Sequence, residues 1–189
     1  MNTLSRKSLH VVLVDDNSID RDLLREQLRA NKQQEYRFTE FSSAKEAMAY
    51  LNSESYPDCM ILDVHMPHMA GNQFLKILKA EKGDIPLPVI VLTSASFDTG
   101  DDKADADESL ALGAQDYITK SSIQAEALIR TLNNAIERFR LTRILQEKEA
   151  QYRLATEAAQ LGTWGYKNDG TECECSGRCQ ENLGLTPDS

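Results

Sequence analysis

LHVVLVDDN (9–17) is a short, β-branched apolar run that stops on two aspartates. A run of this length without polar alternation predicts a strand over 9–14 buried on both faces, as parallel sheets require. Moving outward, residues 18–31 repeat Ile19, Leu23, Leu24 and Leu28 at helical spacing, and YRFTEF (36–41) alternates as a strand does. Ser43 and Glu46 form a capping box that opens a helix running to about Asn52. CMILD (59–63) reads as a third strand, and 71–81 as a helix with Phe74, Leu75 and Leu78 on one face. LPVIVLT (87–93) is a fourth strand, 102–112 a helix stopped by Gly113, and QDYIT (115–119) a fifth strand. A last helix starts at Ser121, capped with Gln124.

Strands alternating with helices in this way specify an α/β fold, a doubly wound five-stranded parallel sheet covered on both faces. Ligands in such sheets bind beyond the carboxyl ends of the strands, where strand order reverses. No Pro or Gly falls between Ser121 and Leu161, so the last helix is expected to run about 40 residues, roughly 60 Å. Ile129, Leu132, Ile136 and Phe139 form one seam; Leu145, Lys148, Tyr152, Ala155 and Ala159 form another, out of phase with the first. The second half reads as an imperfect coiled coil with a charge stripe of Glu149, Arg153 and Glu157.

The 189 residues carry a net charge of -9 and a hydrophobic fraction of 41%, a composition that fits a soluble globular chain. Clustered Lys and Arg, which nucleic acid needs, are missing, so no nucleic-acid partner is expected. No apolar run approaches the roughly 18 residues of a membrane span. The basic opening lacks the apolar core of a signal peptide. No membrane association and a cytoplasmic location are expected. Phe97 to Ser109 holds six carboxylates and one Lys, which reads as a solvated loop or helix face. It lacks the Gly and terminal Glu of a calcium loop. Cys59 stands alone, and Cys173, Cys175 and Cys179 cluster without a fourth metal ligand. The spread makes no disulfide framework, and solvated or core thiols are expected.

Asp15 and Asp16 end the first strand, Asp63 the third, Thr93 the fourth and Lys120 the fifth. Each alone has a plain reading as a cap or a strand-end residue. Together they converge on one sheet edge. VLVDDN (12–17), ILDVHMPHMAG (61–71), VLTSAS (91–96) and GAQDYITK (113–120) resemble, in this order, the receiver domains of bacterial response regulators. The likeness spans residues 8–138 and implies the flavodoxin-like strand order 2-1-3-4-5. It implies that Asp63 is the phosphoacceptor, that Thr93 and Lys120 contact the phosphoryl group, and that Thr93 and Tyr117 shift together as a switch. Crowded carboxylates repel, and a hard divalent cation relieves them. Mg²⁺ or Mn²⁺ is expected on Asp16 and Asp63, with Asp15 direct or through water. The backbone carbonyl of His65, and not its ring, joins them by resemblance. The implied partner is a histidine kinase or phosphotransfer protein.

Two departures stand out. Ser121 replaces the usual proline after Lys120, and the stretch from Thr93 to Lys120 is about five residues longer than the family pattern, holding the acidic insert 97–108. LATEAAQLGTWGYKNDG (154–170) and SGRCQENLGLTP (176–187) resemble the opening of a PAS domain, with Trp164 expected as a core anchor. The chain thus divides into a receiver (8–138), a helical linker (139–161) with a possible homodimer seam, and a partial PAS-like segment (162–189). On this reading the chain is a switch and not an enzyme; a longer protein could carry a histidine kinase or diguanylate cyclase module, on family grounds alone. The alternatives are a phosphorelay shuttle, a haloacid-dehalogenase-type phosphatase, and a degenerate receiver. The second expects Asp-x-Asp after strand one, where this chain has an adjacent pair. The third expects the acidic and basic residues to be incomplete.

Overall fold

The computed structural model describes residues 8–53, 56–94, 101–166 and 173–183. Its contacts divide the chain into two units, Met1–Arg140 and Leu141–Ser189. In chain order the first unit holds β1 (Leu9–Val14), α1 (Ser18–Arg29), β2 (Tyr36–Phe41), α2 (Ala44–Ser53), β3 (Cys59–Asp63) and α3 (Gly71–Lys82). There follow β4 (Val89–Thr93), α4 (Asp101–Leu112), β5 (Asp116–Thr119) and the start of α5 (Ala125–Ala158). The strands form one sheet in the order β2-β1-β3-β4-β5, every neighbouring pair parallel. This is the doubly wound, flavodoxin-like sheet that the alternation and the resemblance called for.

Period-two geometry explains the unbroken apolar runs. Val12, Val14, Met60, Leu62, Val89 and Val91 face a core layer with Phe74, Leu75 and Leu78 of α3 and Ala47 and Leu51 of α2. Their neighbours Val11, Leu13, Cys59, Ile61, Ile90 and Leu92 face the other layer, built on Leu24 and Leu28 of α1 and Leu128, Leu132 and Ala135 of α5. A central strand buried on both sides has no place for polar alternation. β2, at the edge, is only partly buried, which is why it alone alternates.

Several boundaries and faces differ from the sequence reading. Ile19 is 73% exposed, because five helical steps place it about 140° around the axis from Leu24. β4 starts at Val89 and not Leu87; Pro88 has no N–H to give, and its carbonyl accepts from the Met60 N–H at 2.9 Å. The α2 box is half formed: Ser43 Oγ accepts from the Glu46 N–H at 3.3 Å, while the Glu46 carboxylate turns to Ser42 at 3.4 Å. The last helix does not start at Ser121. Lys120–Ser122 first form a 3-10 turn, with the Ser122 hydroxyl 3.0 Å from the Thr119 carbonyl oxygen. Gln124 then supplies the first carbonyl of α5, to the Leu128 N–H at 2.9 Å.

At its far end α5 stops at Ala158, 34 residues long, four residues before Gly162. Gln160 takes a left-handed φ of 52°, with its N–H on the Glu157 carbonyl and the Leu161 N–H on that of Thr156. These paired bonds are a Schellman ending, here on Gln in place of the usual Gly.

In the second unit β6 (Trp164–Tyr166) pairs antiparallel with β7 (Cys173–Cys175), and α6 (Gly177–Asn182) follows. Ser176 ties the hairpin to α6: its hydroxyl accepts from the Thr163 N–H at 2.9 Å and caps the Cys179 N–H at 3.3 Å. A Cβ on Gly162 would meet the Cys179 Cα at 2.4 Å, so only glycine admits this contact. Two expectations are corrected here. Cys175 and Cys179 form a disulfide in place of free thiols; the β7–α6 turn brings together two residues four apart. Trp164 is 67% exposed, since the described hairpin lays no core over it. The parts of the PAS-like motif at 167–172 and 184–189 lie outside the described residues, as do residues 97–100 of the acidic insert. Among the described residues no helix is long and apolar enough to cross a membrane.

At the start of β1 sits a buried histidine. His10 Nδ1 lies 2.8 Å from an Arg37 guanidinium nitrogen and Nε2 2.8 Å from Thr39 Oγ1. A guanidinium can only donate, so Nδ1 accepts and Nε2 carries the proton. Burial and Arg37 hold the ring below the usual 6.5, with Asp58 opposing. A histidine with a depressed folded pKa contributes stability above its unfolded value, lost as pH falls through 6.5 toward the folded value. Stability measured by urea unfolding is therefore expected to fall between pH 7 and 5.5, by at most about 1.4 kcal/mol per pH unit from this group. His10→Gln is expected to flatten that slope; equal slopes in the two proteins would contradict the assignment.

Candidate functional site

Parallel strands put all their carboxyl ends on one edge, and the register does the rest. Val14 pairs with Leu62, so Asp15, next along from β1, stands opposite Asp63, the last residue of β3. Asp63 pairs with Leu92, and Thr93 with Thr119, the residue before Lys120. The four chain segments thus deliver their polar ends to one place.

Asp15 is 0% exposed and Asp63 1%. Asp15 Oδ1 accepts from the Asn17 N–H at 2.8 Å. Its Oδ2 has no aligned hydrogen bond and meets the Lys120 ammonium at 2.8 Å as an ion pair. Asp63 Oδ1 accepts from the His65 N–H at 3.3 Å, and its Oδ2 lies 3.2 Å from Lys120. Asp16 stays exposed at the mouth. The loop after Asp63 is held close by α3: the Gly71 N–H bonds the Val64 carbonyl at 2.9 Å, and a Cβ on Gly71 would strike the Asp63 carbonyl oxygen at 2.5 Å.

The electrostatics follow from this crowding. Burial pushes the Asp15 carboxyl above its ordinary value, Lys120 pulls it back, and the charge of Asp63 raises it again. Burial works against the Lys120 charge, but contacts with Asp15 and Asp20 and the field of Asp63 outweigh it and hold the ammonium above the ordinary lysine range. Carboxylate oxygens no more than 4.8 Å apart repel by roughly 3.5 kcal/mol or more at an effective dielectric near 20. One ammonium does not neutralise this many acids.

One oxygen from each of Asp15, Asp16 and Asp63 lies within 4.8 Å of the others. An octahedral Mg²⁺ with oxygens at about 2.1 Å sets them roughly 2.9 Å apart when adjacent and 4.2 Å when opposite. An oxygen set spread over no more than 4.8 Å has to close by up to about 2 Å to reach that geometry. The set suits a hard cation, and it contains no soft ligand. The imidazole of His65 is turned elsewhere, with Nε2 3.1 Å from Asp105 and Nδ1 3.4 Å from Ser94 Oγ.

Thr93 is buried at the end of β4. Tyr117 is half-buried against the α3 side of the sheet, two residues before the end of β5. The structure brings Asp15, Asp63 and Lys120 into direct contact and sets Asp16 beside them.

Three participants escaped the sequence reading. Asp20, in the first turn of α1, lies 2.9 Å from Lys120; the Asn17-x-x-Asp20 spacing reads only as a helix cap. Asn72 of α3 donates to the Asp105 carbonyl at 3.1 Å and to the Glu108 carboxylate at 2.8 Å, and takes a bond from the Ser109 hydroxyl. Lys76 pairs with Glu108 at 2.7 Å. The described part of the acidic insert is therefore not a freely solvated face: Asp105 and Glu108 tie α4 to α3 and to the loop after Asp63.

Comparison with known proteins shows the family of the first unit. Residues 11–133 match the family described as the response regulator receiver domain. The chain is 32% identical over 111 residues to the two-component response regulator ORR5 of Oryza sativa subsp. japonica, covering 59% of this chain and 77% of that one. It is 31% identical over 131 residues to the response regulator SaeR of Staphylococcus aureus (strain USA300), spanning 69% of this chain and only 52% of SaeR. The solved receiver domain of the Francisella response regulator 1452 superposes with a TM-score of 0.56 at 30% identity, over 70% of this chain and 99% of that one.

A cation that binds only the folded pocket stabilises it by about 1.4 kcal/mol when present at ten times its dissociation constant. Mg²⁺ is expected to raise the thermal unfolding midpoint, and removal by a chelator to reverse the rise. Asp63→Asn should abolish the effect; an equal rise in that variant would place the cation elsewhere.

Proposed function

Since the chain belongs to the response regulator receiver family, we propose that Asp63 takes a phosphoryl group from a histidine kinase or phosphotransfer protein of a two-component system. The observation that carries this reading is the Lys120 ammonium, held at once by Asp15 at 2.8 Å and Asp63 at 3.2 Å. A carboxylate at the end of a buried strand beside a fixed ammonium has both the nucleophile and the counter-charge that phosphoryl transfer needs.

An oxygen of Asp63 attacks phosphorus and forms the new O–P bond. The bond from phosphorus to the donor imidazole nitrogen breaks, and its electron pair stays on that nitrogen. Lys120 holds the developing charge on the phosphoryl oxygens, a role suited to a compact point charge on a flexible stem. Thr93 donates its hydroxyl hydrogen to one of those oxygens. Asp16 and Asp63, the backbone carbonyl of His65, and Asp15 directly or through water are the groups that would hold Mg²⁺. When bound, the ion would supply charge neutralisation for the Asp63 carboxylate and the phosphoryl oxygens.

The phosphoryl group adds about -1.5 to -2 charge at the sheet edge. Thr93 is drawn toward it, and Tyr117 follows into the space released. The two residues bias the β4–α4–β5 surface between two states. The signal passes along α5 to residues 141–189. There the hairpin β6–β7 followed by α6 supports a reading of 162–189 as the opening of a PAS-like module. Leu141, Leu145 and Tyr152, all exposed on α5, support a homodimer seam on the same helix.

Incubated with acetyl phosphate and Mg²⁺, the wild type is expected to gain one phosphoryl mass and Asp63→Asn none. No gain in the wild type, or an equal gain in the variant, would overturn the assignment. Sedimentation of the full chain is expected to show a dimer that Leu141→Glu/Leu145→Glu converts to monomer; a monomeric wild type would remove the seam.

A further inference from the structure

Lys120 has three ammonium hydrogens and three carboxylate neighbours: Asp15 Oδ2 at 2.8 Å, Asp20 Oδ2 at 2.9 Å and Asp63 Oδ2 at 3.2 Å. Asp15 and Asp63 are buried and belong to the cation cradle, whereas Asp20 comes from the first turn of α1 at the pocket rim. Its Oδ2 is also held by the Asn17 side-chain amide at 3.1 Å. Asn17 in turn caps α1 through the Ile19 N–H at 3.0 Å, and its own N–H is on Asp15 at 2.8 Å. The rim carboxylate is thus fixed to the helix cap that follows the cradle.

We propose that Asp20 is a positioning residue that draws the Lys120 ammonium toward the rim and keeps it there when a divalent cation enters between Asp15, Asp16 and Asp63. The assignment rests on the phosphoryl-transfer reading and adds to it. The ammonium and the cation want the same oxygens of Asp15 and Asp63. A lysine with only those two partners settles on them and competes with the cation. A third partner on the rim lets the ammonium release the cradle without returning to water. It also stays beside Asp63, where a phosphoryl oxygen would meet it. The flexible stem of lysine makes such an anchor matter more than it would for a stiffer group.

The test is a double-mutant cycle on the full chain, read by calorimetric titration with Mg²⁺ alone at physiological salt, where screening suppresses distant charge effects. Asp20→Asn is expected to weaken Mg²⁺ binding roughly three- to tenfold, within the range for neighbours sharing a partner. Asp20→Glu should restore it. In a Lys120→Ala background Asp20→Asn should change binding less than about twofold, because the partner it acts through is gone. In metal-free protein, the ¹⁵N ammonium resonance of Lys120 should shift in Asp20→Asn, a change that loss of a helix cap alone does not produce. Equal Mg²⁺ affinity in wild type and Asp20→Asn, or a full effect persisting without Lys120, would overturn the role of Asp20 alone. No Mg²⁺ uptake by the wild type would overturn the phosphoryl-transfer reading and this assignment with it.

Discussion

Everything at the sheet edge depends on one shared cation, the Lys120 ammonium, lying among carboxylates from β1, α1 and β3. Two of those carboxylates are essentially out of water. Buried charges of one sign are tolerated only where an opposite charge and hydrogen bonds meet them. Lys120 therefore has to come across from β5, over β4, to the ends of β3 and β1. The strand order β2-β1-β3-β4-β5 makes that possible because β1 and β3 are neighbours and all strands end on the same side. A different order would leave two acids unpaired in the core.

The core serves this arrangement from below. Both faces of the central strands are packed, so the strands cannot slide to relieve the repulsion at their ends. Gly71 brings α3 against the Asp63 carbonyl, and the Asn17 cap brings α1 against Asp15. The loop after Asp63 reaches α4 through His65 and Asp105, and α4 reaches α3 through Asn72 and Glu108. The acid pocket and the helix beside it share polar contacts, which a change of charge at Asp63 would redistribute.

Much of this was legible in the residues. The unbroken runs at 9–14, 59–63 and 87–93 announced central parallel strands, and the polar residues at their ends announced the edge where Asp15, Asp63 and Lys120 meet. What stayed hidden depends on partners far away in sequence. Asp20 looks like a capping residue until β5 arrives beside it. Asn72 and Ser109 look like ordinary helix-surface positions until α3 and α4 face each other. Ile19 shares the helical spacing of Leu23, Leu24 and Leu28, but spacing alone does not reveal that its angle to Leu24 turns it to solvent. The core place of Trp164 is implied by the PAS-like resemblance and not by its neighbours, and Cys175 reads as a thiol because only the β7–α6 turn reveals its pairing with Cys179. The end of α5 was placed at a glycine, whereas the chain terminates the helix on Gln160 through hydrogen bonds that leave no compositional mark.

The most direct test of the central claim is a crystal structure of the full chain grown with Mn²⁺ and measured for anomalous scattering. A single anomalous peak is expected between the carboxylates of Asp16 and Asp63, within coordination distance of an oxygen of each, with the Lys120 nitrogen withdrawn to the Asp20 side. A peak elsewhere, or none at saturating Mn²⁺ with Lys120 still seated on Asp15 and Asp63, would contradict the account.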